Sequence, residues 1–295
     1  MTAARITQRL MVERSLTSLQ SGLGRLSDSQ EKIASGRTIN RPSDSPTGTN
    51  DAMRLRAALS AKAQYTRNAE DGESWLGTAD STLTSMLDQV RRAQGLLVQG
   101  ASTGSNGPDA RAALVAELTQ IRAGLLDEAN TTHLGRPLFG GTTAGSTAYD
   151  SNGTYVGDGN AVNRTIGEGI SVPVNVTGPA AFSVGGDDLF SVLGDAIDQL
   201  RNSPGALGSS QARLEAVAGR MRSALADVGT RVNRVETAAE NLAGSTLDAT
   251  NALSQIENVD IASAIVDLQM QEVAYQAALG ATSRVIQPSL LDFLR

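Results

Sequence analysis

Apolar residues recur at heptad spacing almost to both ends of this chain. Leu16, Leu19, Leu23, Leu26 and Ile33 do so near the start. Ile256, Val259, Val266, Met270 and Val273 do so near the finish, ahead of Leu290-Leu291-Asp292-Phe293-Leu294-Arg295. The ends of soluble domains are ordinarily polar and loosely held. Leucine concentrated at both tips has to be buried against something, and a seven-residue repeat selects other helices as the cover. The pattern therefore restricts the chain to paired helices whose remaining apolar faces are completed from outside the monomer.

Composition narrows this further. Aromatic residues are 3% of the 295, too few for a compact core filled by large rings. Net charge is -6 and the arginines are dispersed among acids, so the basic stripe that nucleic-acid binding needs is missing. There is no cysteine, which excludes disulfides, thiolate metal sites and a cysteine nucleophile. No apolar run approaches the ~20 residues of a membrane span, and no membrane insertion is expected. The first twenty residues lack the continuous apolar stretch of a secretory signal, so export would require a route without signal cleavage.

Along the chain, a first helix is expected from about Arg5 to Ala34, with its seam at Val12, Leu16, Leu19, Leu23, Leu26, Gln30 and Ile33. Ser35-Gly36 ends it, and the segment Asn40-Arg41-Pro42-Ser43-Asp44-Ser45-Pro46 cannot continue it. A second helix follows from Pro46 or Thr47 to about Ser102, and a turn at Ser105-Asn106-Gly107-Pro108 starts a third through about Asn130. From Thr131 to about Gly186, Gly, Thr, Asn and Val replace the helix formers. This stretch reads as a hairpin at Arg136–Thr143 and a small β-rich module, with turn signals at Asn152-Gly153 and Asp158-Gly159. A short helix is expected at about 189–202. The longest apolar register runs through Leu214, Val217, Met221, Val228, Val235 and Leu242 to Ile256, with Arg231 and Ser245 off pattern.

A break at Glu257-Asn258-Val259-Asp260, capped by Asn258 or Asp260, precedes a last helix expected to end before Pro288. That helix carries a second stripe, Ile261, Ile265, Leu268, Tyr275 and Leu279, so it must be covered on more than one side. Residues 1–40 hold six bases and three acids, and residues 256–295 hold two bases and five acids. These opposite charges would steer the two end helices together.

Four segments, in order, resemble the flagellin superfamily and within it the hook-filament junction family. They are Ser35-Gly36-Arg37-Thr38-Ile39-Asn40-Arg41-Pro42-Ser43-Asp44-Ser45-Pro46; Asn130-Thr131-Thr132 with Gly135 and Leu138-Phe139-Gly140-Gly141-Thr142; Val259 to Ile265 followed by Gln276-Ala277-Ala278-Leu279; and Ser289-Leu290-Leu291-Asp292-Phe293-Leu294. Ser45 stands where the family usually has a second aspartate. The resemblance implies a mainly α fold with a small β-rich insertion, an elongated antiparallel helical rod whose N- and C-termini pair in a coiled-coil inner domain. It implies an inner domain of residues 1–35 with 256–295, a helical rod of 36–135 with 188–255, and an outer tip of 136–187.

The implied role is a non-enzymatic ring between hook and filament, outside the cell, exported by the flagellar type III apparatus. The implied partners are further copies of the chain, hook-associated protein 1, flagellin, and a cytoplasmic export chaperone on the C-terminal region. No cofactor is expected. The assembly residues would be Leu16, Leu19, Leu23, Leu26, Ile33, Ile256, Val259, Ile265, Val266, Met270, Val273, Leu279, Leu290, Leu291, Phe293 and Leu294, with Asn40, Arg41, Pro42, Ser43, Asp44 and Pro46 forming an inter-domain and inter-subunit loop. The alternatives are a flagellin filament subunit and a non-flagellar coiled-coil binding module.

No catalytic or metal constellation competes with this reading. His133 is the only histidine, without partners at ligand spacing, and reads as a solvated loop residue. Asp150-Ser151-Asn152-Gly153 and Gly157-Asp158-Gly159-Asn160 lack the terminal glutamate of a calcium loop and read as turns. Asp187-Asp188 reads as a helix start.

Overall fold

The computed structural model describes residues 2–102 and 107–291, with side chains described over 10–102 and 107–283. Ser105 and Asn106, the side chains of Leu290 and Leu291, and the whole of Phe293 and Leu294 lie outside the described residues. The helices are α1 (Thr2–Ser35), α2 (Pro46–Ala101), α3 (Pro108–Ala129), α4 (Gly178–Phe182), α5 (Leu189–Asn202), α6 (Leu207–Glu257) and α7 (Ile261–Leu291). The strands are β1 (Thr132–His133), β2 (Arg136–Pro137), β3 (Asn163–Gly167), β4 (Ile170–Pro173), β5 (Ser183–Val184) and β6 (Asp187–Asp188). They pair as three antiparallel hairpins, β1–β2, β3–β4 and β5–β6, with a bulge in β3 between Thr165 and Gly167. The chain forms two compact units: a terminal unit, Met1–Ser60 with Thr246–Arg295, and a middle unit, Ala61–Ser245.

The middle unit has a continuous apolar core. The 3-4 register of α2 buries Leu76, Leu83, Met86, Val90 and Leu97, and α3 adds Leu114, Leu118, Ile121 and Leu125. Leu214, Val217, Met221, Val228 and Val235 complete it from α6. Each such side chain contributes about 1.5–3 kcal/mol on removal from water. The two residues that break the α6 pattern have polar partners. Arg231 donates to the carbonyls of Pro173 and Asn175, and the Ser245 hydroxyl accepts Lys62 Nζ at 2.5 Å.

The few rings of the chain are gathered rather than scattered. Phe139, Tyr149, Tyr155, Phe182 and Phe190 form one cluster with centroids 4.9–6.1 Å apart, mostly edge to face. Phe139, Tyr149, Phe182 and Phe190 are buried in the same continuous core as the helices, with Tyr155 packed against it, so the scarce rings extend that core. Asp188 caps α5 by accepting from Phe190 N, and Ser191 Oγ returns a bond to the Asp188 backbone, a reciprocal capping box.

Three expectations are corrected. The hairpin lies at 132–137 rather than Arg136–Thr143, because Leu134 and Gly135 supply the two positive φ values of its turn. The last helix does not stop before Pro288 but runs through Leu291; proline removes only one donor from a helix ladder. His133 is not a solvated loop residue. It sits half-buried in β1 with its ring 5.1 Å from Trp75, and its Nε2 is enclosed without a hydrogen-bond partner.

Candidate assembly interface

In the terminal unit α1 and α7 pack along each other. Val12, Ser15, Leu19, Gly22, Leu26, Ser29 and Ile33 of α1 are sheltered, a 3-4 repeat, with Glu31 and Lys32 half-buried beside its last position. Those of α7 are Ala264, Leu268, Gln271, Tyr275, Ala278 and Thr282. Small residues therefore occupy much of this seam. The Tyr275 ring packs over Gly22; a Cβ there would meet its Cδ2 at 3.4 Å, an ordinary van der Waals contact. Arg25 Nε donates to Gln271 Oε1 at 3.3 Å beside it. Among the described residues no ion pair joins α1 to α7.

Many of the larger apolar residues stay outside the seam. Leu16 and Leu23 on α1 are half exposed, and Val266, Met270 and Val273 on α7 are 57%, 60% and 66% exposed. Ile265 and Leu279 are exposed as well, while Leu19, Leu26, Ile33, Ile256 and Val259 are half-buried. Among the described residues of the terminal unit only one hydrophobic side chain, Ala52, is buried. A pair of helices with no larger buried side chain is not self-sufficient, because burial has to offset the cost of ordering each residue. Heptad counting alone had Leu16, Leu23 and Gln30 on the α1 seam. The signal that places them outside it is the interleaved Ser15, Gly22 and Ser29, which only a small-residue rule would select.

The connection after α1 is tied to the α6–α7 break. Thr38 N donates to Glu257 O at 2.7 Å, Val259 N to Gly36 O at 3.0 Å, and Arg37 bridges Asn258 as an antiparallel pair. Glu257 is buried and its carboxylate meets Arg56 at 2.7 Å. Asp260 then caps α7, accepting from Ala262 N and from the backbone and hydroxyl of Ser263. Within Asn40–Pro46, Asp44 Oδ2 accepts the N–H groups of Asn40 and Arg41, and these bonds hold its carboxyl below the usual carboxylate range, Arg41's first. Arg41 reaches Glu31 at 2.8 Å. Ser45 Oγ accepts from Gly48 N and so begins α2, doing with a hydroxyl what an aspartate cap does. Pro42, Ser43 and Pro46 are exposed, and Asn40 is half-buried.

In the middle unit, the Leu138–Thr142 motif is held by Asp158. Its carboxylate accepts Thr142 N, Thr142 Oγ1 and Asn160 N at 2.7–3.0 Å. The Thr142 backbone bond, then its hydroxyl, pull the Asp158 pKa down from 3.8 to about 2. The sign follows from a depressed folded value: the stabilisation is present above pH ~4 and is lost as pH falls through about 2. Asp158→Asn should therefore be less stable than the parent at neutral pH, with the difference shrinking between pH ~4 and 2. Near-ultraviolet circular dichroism of the aromatic cluster reads this; a difference constant down to pH 2 would show that the charge is not the cause.

Among the described residues no group of three or more His, Asp or Glu is placed to hold a metal ion, and no helix is long and apolar enough to cross a membrane. What the terminal unit offers is a pair of helices with unfilled apolar faces, the arrangement of a polymerising coiled-coil subunit. The chain belongs to the bacterial flagellin family: the flagellin N-terminal helical region matches residues 6–144 and the C-terminal helical region residues 215–294. Within that family it is 24% identical to flagellar hook-associated protein 3 of Escherichia coli K12, over 94% of this chain and 95% of the relative. It is 27% identical to a flagellin of Bacillus subtilis 168, over 99% of this chain and all of the relative. The flagellar junction protein FlgL of Legionella pneumophila shares the fold, with TM-score 0.57 and 16% identity over 70% of this chain and 99% of that structure.

Proposed function

We propose that this chain is a structural, non-catalytic subunit of the bacterial flagellum that forms the junction between hook and filament. The observation that carries the reading is the terminal unit, whose helices leave Val266, Met270 and Val273 in water while almost nothing apolar is buried. Its near full-length likeness to hook-associated protein 3 supports the position in the flagellum. Further copies of the chain cover the exposed stripes in a ring, with hook-associated protein 1 on the hook side and flagellin on the filament side.

Residues 1–35 with 256–295 act as the inner assembly domain, 36–135 with 188–255 as the rod, and 136–187 as the outer tip. Asn40, Arg41, Pro42, Ser43, Asp44 and Pro46 form the joint between inner domain and rod. Before export, a cytoplasmic chaperone shields the C-terminal region, since exposed apolar stripes otherwise aggregate. Ordering of the end helices is then driven by the neighbours that bury them.

The test is deletion of the gene. Electron microscopy should show hooks without filaments, and flagellin monomer should accumulate in the medium. Normal attached filaments would sink the assignment. The likeness to the Bacillus flagellin favours a second reading, a filament subunit; that protein would polymerise alone and be the most abundant in purified flagella, whereas a junction subunit is a trace component.

A further inference from the structure

The methionines of this chain divide by exposure. Five of the six have described side chains. Met86 and Met221 are 0% exposed, in the core of the middle unit. Met11, Met53 and Met270, all in the terminal unit, are 59%, 54% and 60% exposed. A thioether in water is open to two-electron oxidants, and one enclosed by packed side chains is shielded.

The three exposed methionines differ in their surroundings. On a helix surface the neighbours of a residue are those three and four positions away. For Met270 these are Val266, Val273 and Ala274, with Asp267 the one polar member. Met11 has Thr7, Gln8, Arg14 and Ser15 there, and Met53 has Thr49, Asn50, Arg56 and Ala57. Only Met270 therefore stands within an apolar stripe, on the face of α7 away from the seam with α1. An unbranched thioether adapts well to an irregular partner surface, but its sulfoxide is polar and disrupts such contacts.

We propose that Met270 is an oxidation site that controls assembly: its sulfoxide forms in the free subunit and keeps a neighbouring copy from covering the α7 face. This rests on the reading above that further copies bury this face, and adds a chemical modification that interrupts it. With hydrogen peroxide, the sulfur attacks one peroxide oxygen, the O–O bond breaks and an S–O bond forms. The proton on the transferred oxygen passes to the departing hydroxide, which leaves as water. Sulfur gives up two electrons and the peroxide takes them. Burial of the new oxygen without a hydrogen-bond donor weakens association roughly tenfold.

In the test, the purified chain is treated with hydrogen peroxide and its tryptic peptides are read by mass spectrometry. Met11, Met53 and Met270 should each gain one oxygen, and Met86 and Met221 should not. The oxidised chain is then added to isolated hooks from a strain lacking the gene, and bound protein is measured by immunoblot. Binding should fall roughly tenfold against the untreated chain. Met270→Leu, an apolar swap of similar volume and helix propensity, should bind after treatment as the untreated parent does. Met11→Leu and Met53→Leu should lose binding as the treated parent does. Because the chain has no cysteine, methionine sulfoxide reductases with a thiol reductant act on its sulfoxides alone, and should restore the parent. Undiminished binding of the oxidised chain overturns the inference, as does a treated Met270→Leu chain that loses binding. Oxidation of Met86 as fast as Met270 overturns it too, by showing that exposure does not select the sulfur. Each of these results leaves the junction reading standing. An untreated parent chain that fails to bind the hooks removes the junction reading, and this inference with it.

Discussion

A chain carrying Val266→Asp and Met270→Asp is expected to fold as the parent does and to be absent from the flagellum. Both side chains are more than half exposed on α7 in the free subunit, and neither belongs to the half-buried seam against α1. Substitution at such positions changes monomer stability by about 0.5 kcal/mol each, chiefly through the weaker helix propensity of aspartate. In the assembly the same positions are expected to be dry. An unpaired carboxylate taken out of water there costs several kcal/mol, so two of them weaken association by roughly a thousandfold or more.

Two measurements separate the effects. Far-ultraviolet thermal melts of the purified variant should overlay the parent within a few degrees, and immunoblots of isolated flagella should lose it entirely. Leu268→Asp is the informative contrast, since Leu268 faces α1 and its loss should disturb the pairing of the two end helices themselves. Parental incorporation of the double variant would mean that this face of α7 stays in solvent in the flagellum.

Why some of this was legible in the sequence, and some was not, is clearest at particular residues. Asp188 was recognisable as a helix start because a cap acts within four residues, and Ser191 completes it locally. The α6 register was readable because one face meets one continuous core; its two exceptions, Arg231 and Ser245, gave no hint of their partners, which lie 58 and 183 residues away in the chain. Val12, Leu19, Leu26 and Ile33 fall in the α1 seam as the heptad predicts. Its other positions, Ser15, Gly22 and Ser29, lie one residue earlier than the heptad places them, because hydrophobicity ranks Leu16 above Ser15 and Leu23 above Gly22. Where α1 and α7 pack together, Ser15, Gly22 and Ser29 lie in the seam, and Leu16 and Leu23 stay half exposed. The hairpin was shifted for a similar reason: Leu134 is a poor turn residue, and only its neighbour Gly135 marked the site. His133 reads as solitary because its partner, Trp75, comes from α2. Caps and apolar stripes, including the second stripe of α7, can be read from local spacing; the partners of Arg231, Ser245 and His133 come from distant segments and cannot.

Gly141→Ala should be the most damaging single methyl in the middle unit. Gly141 has φ +75°, where a Cβ alone costs about 1–2 kcal/mol. That Cβ would also stand 2.1 Å from Asp158 Oδ1 and 2.3 Å from the Asp158 carbonyl oxygen. Asp158 cannot retreat without cost. Its carboxylate closes the turn through Thr142 and Asn160, its N–H donates to Gly140 O, and its carbonyl accepts the Tyr155 hydroxyl at 2.5 Å. Tyr155 is packed on Tyr149, so the disturbance reaches the aromatic cluster and burial that holds both phenols in their neutral form. The summed effect is about 3 kcal/mol or more, a fall in melting temperature of roughly 6–12 °C for a unit of this size. In an Asp158→Gly background the carboxylate clash is gone but the carbonyl remains, so Gly141→Ala should still cost part of this relative to Asp158→Gly alone. Differential scanning calorimetry of both single variants and the double variant measures it. No further cost from Gly141→Ala in the Asp158→Gly background would show that the side chain alone, and not the close backbone approach, is what requires glycine at position 141.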